Sequence, residues 1–281
     1  MDLDNISLDR VIENALAEDI GYGDVTTLAT IPDGTRAAGR FVAKDSGMLC
    51  GLDAARRVFA LVDSEIAVET AKRDGDEVAK GEAFARISGP ARGILMGERV
   101  ALNLLQHMSG VATATARAVQ QVRGTGAAIA DTRKTTPGLR ALEKYAVRCG
   151  GGSNHRFNLA DGVLIKDNHI VAAGGISAAI KAARAYAPHT LKIEIEVESL
   201  DMVREALAGG ADIIMLDNMP LEQMTEAVKL IGGRAVTEAS GNMDQKDLRA
   251  VAACGVDIIS IGALTHTVRA LDISLKFEFE A

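Results

Sequence analysis

From about residue 125 onward the chain repeats one pattern: a short apolar run, a polar or charged residue, then a helical stretch. The runs occupy 127–131, 163–166, 193–196, 213–217, 235–238 and 258–260, and the last four end at Glu196, Asp217, Glu238 and Ser260, spaced 21, 21 and 22 residues apart. One strand plus one helix per step predicts a parallel sheet built of βα units. Near-continuous apolar runs mark strands covered on both faces. About 160 residues follow the preceding long helix, fewer than the roughly 200 of a full eight-fold barrel. The prediction is therefore an incomplete α/β barrel of roughly six to seven strands.

Upstream the pattern differs. Ser7 is placed to cap a first helix whose apolar stripe is Leu8, Val11, Ile12, Ala15 and Leu16. Residues 18–27, rich in Gly and Asp, read as a loop. Strands are predicted at 39–43, 65–70 and 83–87 around a helix at 53–62, with Gly-Asp and Gly-Glu pairs as turns. A long helical segment from about 94 to 122, interrupted near Ser109-Gly110, leads on. The expected division is a small α+β domain over 1–110 and the barrel over 111–281, with the C-terminal end free to return to the first domain. Residues 276–281 carry no signal of their own.

Composition narrows the function. The 281 residues carry a formal net charge of −7, with 3% aromatics and no Trp. Nucleic acid is excluded as a partner, because it needs a broad basic stripe or stacking platforms. Cys50, Cys149 and Cys254 are odd in number and widely separated, a spacing that suits neither a disulfide framework nor a zinc site. A reducing cytoplasm is expected. The acidic start, Met1 to Asn5, lacks the basic region and apolar core of a signal peptide. No apolar stretch approaches the roughly 20 residues of a membrane span.

Against this acidic background, cations crowd into one stretch: Arg133, Lys134, Arg140, Lys144, Arg148, His155, Arg156 and Lys166. Lys144 and Arg148, at i, i+4 spacing, fit a solvated helix face. Arg133, Lys134 and Lys166 each follow an apolar run, where barrel folds place their chemistry. The cations suit a carboxylate-bearing or phosphorylated small molecule. Glu196 and Asp217, at strand ends, suit a divalent cation, a ribose diol or a developing positive charge, and hard oxygen ligands favour Mg²⁺. The small-residue loops Ala239-Ser240-Gly241-Asn242 and Gly262-Ala263-Leu264-Thr265 each lie between a strand and a helix. Backbone N–H groups there can cradle a phosphate.

At this level of detail the chain resembles the quinolinate phosphoribosyltransferase family, the decarboxylating nicotinate-nucleotide pyrophosphorylases. The resemblance rests on Asp131 to Arg140, Glu143-Lys144-Tyr145-Ala146-Val147, Gly150-Gly151-Gly152, His155-Arg156 and Leu164 to His169. It continues in Glu194-Ile195-Glu196-Val197, Leu216-Asp217-Asn218-Met219, Glu238-Ala239-Ser240-Gly241 and Gly262 to His266, and in the N-terminal motifs Glu18-Asp19-Ile20, Gly23 to Thr27, Glu98-Arg99 and Ser109-Gly110. It implies a small N-terminal α+β domain on an incomplete barrel, assembled as a homodimer with shared active sites. It implies the conversion of quinolinate and phosphoribosyl pyrophosphate to nicotinate mononucleotide, CO₂ and pyrophosphate in de novo NAD biosynthesis, with Mg²⁺ and no organic cofactor.

The resemblance also implies residue roles. Arg133, His155, Arg156 and Lys166 would hold quinolinate, with Arg99 added from the partner subunit. Lys134, Glu196 and Asp217 would be catalytic. Phosphoribosyl pyrophosphate would meet Lys134, Glu196, Asp217, Ser240, Gly241, Asn242, Gly262 and Ala263. Glu196 and Asp217 would hold Mg²⁺, directly or through substrate and water. Three other readings stay open: a related transferase acting on nicotinate, a Schiff-base aldolase using Lys166 at the end of a buried strand, and a non-catalytic phosphosugar-binding regulator.

Overall fold

Helices and short strands, joined by glycine and aspartate turns, make up the first hundred residues of the computed structural model, which describes residues 5–278. In chain order these are α1 (Asn5–Ile20), α2 (Val25–Thr30), β1 (Arg36–Ala43), β2 (Gly47–Met48), α3 (Leu52–Val62), β3 (Ala67–Thr70), β4 (Glu77–Val78) and β5 (Ala83–Pro90). Then come α4 (Ala91–Val122), β6 (Ala128–Ala130), α5 (Arg140–Cys149), β7 (Val163–Ile165), α6 (Asp167–Ala173), α7 (Ile176–Tyr186) and β8 (Ile193–Val197). The remainder is α8 (Leu200–Ala208), β9 (Ile213–Asp217), α9 (Leu221–Ile231), β10 (Val236–Ser240), α10 (Leu248–Ala253), β11 (Ile258–Ser260), α11 (Ala263–His266) and β12 (Ile273–Glu278). Two compact units result. One takes in residues through 116, then 135–151 and the stretch from 265 on; the other holds 117–134 and 152–264.

The first unit is built on an antiparallel sheet in the order β12-β1-β5-β3. Along β1, Ala37, Phe41 and Ala43 alternate inward, as a half-buried strand requires. Phe41 packs edge-on to Phe59 of α3 at 6.3 Å and lies 6.2 Å from Phe84 of β5, so half of the chain's six phenylalanines form one cluster. Residues 273–278 supply the edge strand β12; of the stretch 276–281, silent in the sequence, 276–278 belong to it and 279–281 lie outside the described residues. Gly39 admits it, because a Cβ there would stand 2.9 Å from the Lys276 carbonyl.

Several local expectations are corrected. The first helix already runs from Asn5, so Ser7 lies inside it and is not its cap. The expected loop at 18–27 is mostly helical: α1 continues to Ile20 and α2 begins at Val25, capped by Asp24, whose carboxylate accepts from the Thr27 backbone N–H at 2.9 Å. α4 is not broken at Ser109-Gly110. The Ser109 hydroxyl bonds the backbone of Cys50, and a Cβ on Gly110 would meet the Arg269 carbonyl at 2.5 Å. Small residues mark a close crossing there, not a helix end. Lys144 is not on a solvated face but buried, whereas Arg148 is exposed. Cys50 and Cys149, remote in sequence, meet beside Asp74 with ligand atoms within 4.8 Å of one another.

The second unit is a six-stranded parallel sheet in the order β6-β11-β10-β9-β8-β7. Ile193, Ile195 and Val197 of β8 are buried on one side, leaving Glu194 and Glu196 on the other. Two equivalent aspartates brace the sheet. Asp212, just before β9, accepts from the Ile193 N–H at 2.7 Å, and Asp257, just before β11, accepts from the Thr237 N–H at 2.8 Å. Each thereby locks a strand to its neighbour at the end opposite the chemistry. Among the described residues no helix is long and apolar enough to cross a membrane.

The crossing at Gly110 generates a stability prediction. Ala is the better helix former by about 1 kcal/mol, but its methyl must displace backbone, which in a packed core costs about 1–3 kcal/mol. Gly110→Ala is expected to lower the urea midpoint despite the helix gain. An unchanged or raised midpoint would show that the contact tolerates a methyl.

Candidate active site

Because side chains alternate along a strand, residues two apart on neighbouring parallel strands share one face. In the second unit that face opens into a cavity of about 450 Å³. β7 and the residue after it contribute Leu164 and Lys166, β8 Glu196, β9 Met215 and Asp217, β10 Glu238 and Ser240, and β11 Ser260. The segments after β6 and before β7 add Arg133, Lys134, His155 and Arg156. The cations and carboxylates singled out in the sequence thus converge, and do so at the carboxyl ends of the strands, as in barrel enzymes generally.

Asp131, fully buried at the end of β6, holds the His155–Arg156 segment in place. Its carboxylate accepts from the His155 backbone N–H at 2.9 Å and from the Asn154 amide at 2.6 Å. Beneath it, Ser153 pairs in parallel with Ala130, adding a partial rung on the outer side of β6. Arg156 then donates to the Gly162 carbonyl at 2.9 Å. Burial, and next the charge of Arg133, lower the pKa of the Arg156 guanidinium. It remains a cation, so two neighbouring guanidiniums create a local demand for an anion.

The carboxylates divide into two groups. Glu196 is paired with the Lys166 ammonium, and Asp217 accepts from the Asn218 amide at 2.9 Å. Deeper lie Glu194 and Glu238, respectively 3.1 and 3.7 Å from His155 Nε2. The Arg156 backbone N–H donates to His155 Nδ1 at 2.8 Å, which leaves the proton on Nε2, facing the two carboxyls. Burial first, then the charge of Glu194, push Glu238 up to about 7. The apolar run had placed Glu238 at a strand end; it lies instead mid-strand in β10, and Ser240 takes the end position.

The loop after β10 is sterically specified. A Cβ on Gly241 would fall 2.2 Å from Asn218 Oδ1, and the Gly241 φ of +96 is one that L side chains rarely adopt. Asn218 and Asn242 both take the left-handed conformation, with φ of 53 and 50. Ser240, Gly241 and Asn242 line the cavity, while Gly262 and Ala263 do not. Arg99 is exposed on α4, in the first unit, and is not among the lining residues. Lys166 is about 45% exposed and ion-paired, which removes the apolar setting that a Schiff-base lysine would need.

Sequence reading missed the roles of Asp131 and Glu194. The signal for Glu194 was present: two residues before Glu196 on one strand, it must share its face. Asp131 gave none, since a carboxylate ending an apolar run does not reveal what it accepts from.

Comparison with known proteins agrees with this geometry. Residues 111–276 match the quinolinate phosphoribosyl transferase C-terminal domain, and 24–109 match its N-terminal domain. The probable nicotinate-nucleotide pyrophosphorylase [carboxylating] of Bacillus subtilis is 46% identical over 273 residues, covering 97% of this chain and 94% of that one. The nicotinate-nucleotide pyrophosphorylase [carboxylating] of Mycobacterium leprae is 46% identical over 270 residues, covering 94% and 95%. The crystal structure of NadC from Streptococcus pyogenes superposes with a TM-score of 0.94 at 44% identity, over 100% of both chains. With both domains matched and these identities spanning nearly its whole length, the chain belongs to the quinolinate phosphoribosyl transferase family.

Proposed function

We propose that this chain joins quinolinate to the ribose of phosphoribosyl pyrophosphate and decarboxylates the product, releasing nicotinate mononucleotide, CO₂ and pyrophosphate for NAD biosynthesis. The observation that carries the reading is the meeting of two opposite charge sets in one cavity. Arg133, Arg156 and Lys166 suit the two carboxylates of quinolinate, with His155 beside them. Lys134, exposed at the cavity edge, suits the pyrophosphate. The 5′-phosphate suits the backbone turn at Ser240, Gly241 and Asn242. Gly262 and Ala263 stand outside the lining, so the phosphate role rests on the first loop.

The chemistry follows from charge. As the pyridine nitrogen attacks the anomeric carbon and pyrophosphate departs, positive charge develops on the sugar. Glu196 and Asp217 face that charge and can also orient the ribose hydroxyls. Both are hard oxygen donors on adjacent strands of one cavity, which fits Mg²⁺ bound jointly with substrate phosphates. When bound, Mg²⁺ supplies charge neutralisation for the leaving pyrophosphate. Substrate binding frees Glu196 from Lys166, so one event prepares both the cation and the carboxylate.

The reading extends to assembly and compartment. Arg99 is exposed on α4 and is not among the residues lining its own chain's cavity, and we place it in the site of a partner subunit, making the homodimer obligatory. Three free cysteines support a reducing cytoplasm.

The direct test measures pyrophosphate and CO₂ release with quinolinate, and pyrophosphate release with nicotinate as the comparison substrate. Hydrogen bonds to charged groups contribute about 1.5–3 kcal/mol each, so nicotinate, with one carboxylate fewer, should be at least roughly tenfold less efficient. Equal efficiency with both acids would overturn the dicarboxylate assignment.

Subunit sharing has its own test. Arg99→Ala and Lys134→Ala should each be inactive alone yet complement when mixed under subunit exchange. A heterodimer collects both lesions in one site and leaves the other intact. Random mixing gives about half heterodimers, hence about a quarter of wild-type activity. No recovery would mean that each chain completes its own site.

A further inference from the structure

Two buried carboxyls below a set of anion-binding cations are unexpected, because full negative charge there would oppose the substrate. Glu194 and Glu238 are 4% and 1% exposed, and both lie against His155. The groups facing Glu238 are Glu194 and Glu196 from β8, His155 from the segment before β7, and the Ser260 hydroxyl from β11. His155 offers one N–H to this cluster, and it is closer to Glu194. Glu238 Oε1 has no hydrogen-bond partner among the described residues, although Glu238 lines the cavity. Burial shifts a carboxyl so placed toward the neutral acid. In that form it adds no charge opposite a dianion and carries a proton toward the substrate.

The proposed reaction creates a need for that proton. Loss of CO₂ leaves an electron pair on the ring carbon next to the quaternised nitrogen. The donor must stand near the place the departing carboxylate occupied. That place is marked by the groups proposed to grip it, Arg133, His155, Arg156 and Lys166, which line one cavity with Glu238, and Glu238 lies 3.7 Å from His155 Nε2.

We infer that the Glu238 carboxyl donates the proton that replaces the departing CO₂ on the pyridine ring, an inference that rests on the quinolinate reading of the site. The carbon–carboxylate bond breaks, its electron pair stays on the ring carbon, and CO₂ leaves. The Glu238 O–H bond then breaks as the new C–H bond forms. Glu238 is left as a carboxylate, which water reprotonates before the next turnover.

Glu238→Gln tests this, since it keeps the shape and neutrality of the acid form but has no proton to transfer. Pyrophosphate release should stay within about threefold of wild type, while CO₂ release falls at least about a hundredfold, the usual range for a general acid. Quinolinate mononucleotide should then accumulate. Pyrophosphate and CO₂ still released one for one by the variant would overturn the inference. A second measurement needs no variant. In single turnovers of the wild-type enzyme, the ratio of CO₂ to pyrophosphate should fall as pH rises through about 7, where Glu238 loses its proton. A constant ratio on both sides of that pH would overturn it equally. Absence of any pyrophosphate release from quinolinate by the wild type would instead remove the parent reading, and this step with it.

Discussion

The buried carboxylate of Asp131 is the constraint on which the cation side of the cavity depends. It follows β6, an edge strand of the parallel sheet, and turns both oxygens toward the segment that carries His155 and Arg156. The backbone beneath repeats the tie: Ser153 donates to the Ile129 carbonyl at 2.8 Å, and Asp131 donates back to Ser153 at 3.1 Å. Hydrogen bonds to an ionised acceptor in a low-dielectric interior are among the strong ones. An otherwise irregular segment is thereby held with nearly the precision of a strand. Arg156, one residue beyond, inherits that placement.

Across the cavity, the period-two alternation of β8, β9 and β10 does the corresponding work for the carboxylates. It places Glu196 and Asp217 toward the mouth and Glu238 deeper, with apolar neighbours facing the helices. Without substrate Lys166 pairs with Glu196. That pair is partly exposed, and such pairs contribute about 1 kcal/mol or less. It satisfies both charges in the empty cavity and yields readily to a ligand that pairs each more strongly. In the deep cluster of Glu194, Glu238 and His155, burial favours the protonated form of Glu238.

Much of this was legible in the sequence, and what was not had physical reasons. Apolar runs with spacings near 21 residues revealed the parallel sheet, because one strand plus one helix per step repeats at about that interval. The cations after β6 and β7 stood out because charge at the end of an apolar run requires a purpose. Composition could not reveal that Lys144 is buried or that Cys50 meets Cys149 beside Asp74, since both follow from how distant segments pack. The pair Ser109-Gly110 looked like a helix break because small residues serve breaks and close crossings alike. Strand β12 was invisible because an edge strand on an antiparallel sheet needs little sequence beyond alternation. Glu238 was recognised but placed too near the mouth, since an apolar run marks where burial stops and not where the strand does.

The account stands most directly on Asp131 positioning the cations for a dicarboxylate. Asp131→Ala removes both acceptors while leaving every cation in the sequence. Calorimetric titration of quinolinate into this variant, against wild type, should show affinity reduced at least tenfold, the effect of orphaning hydrogen-bond donors worth about 1–3 kcal/mol. Quinolinate bound by the Asp131→Ala variant as tightly as by the wild type would contradict the account.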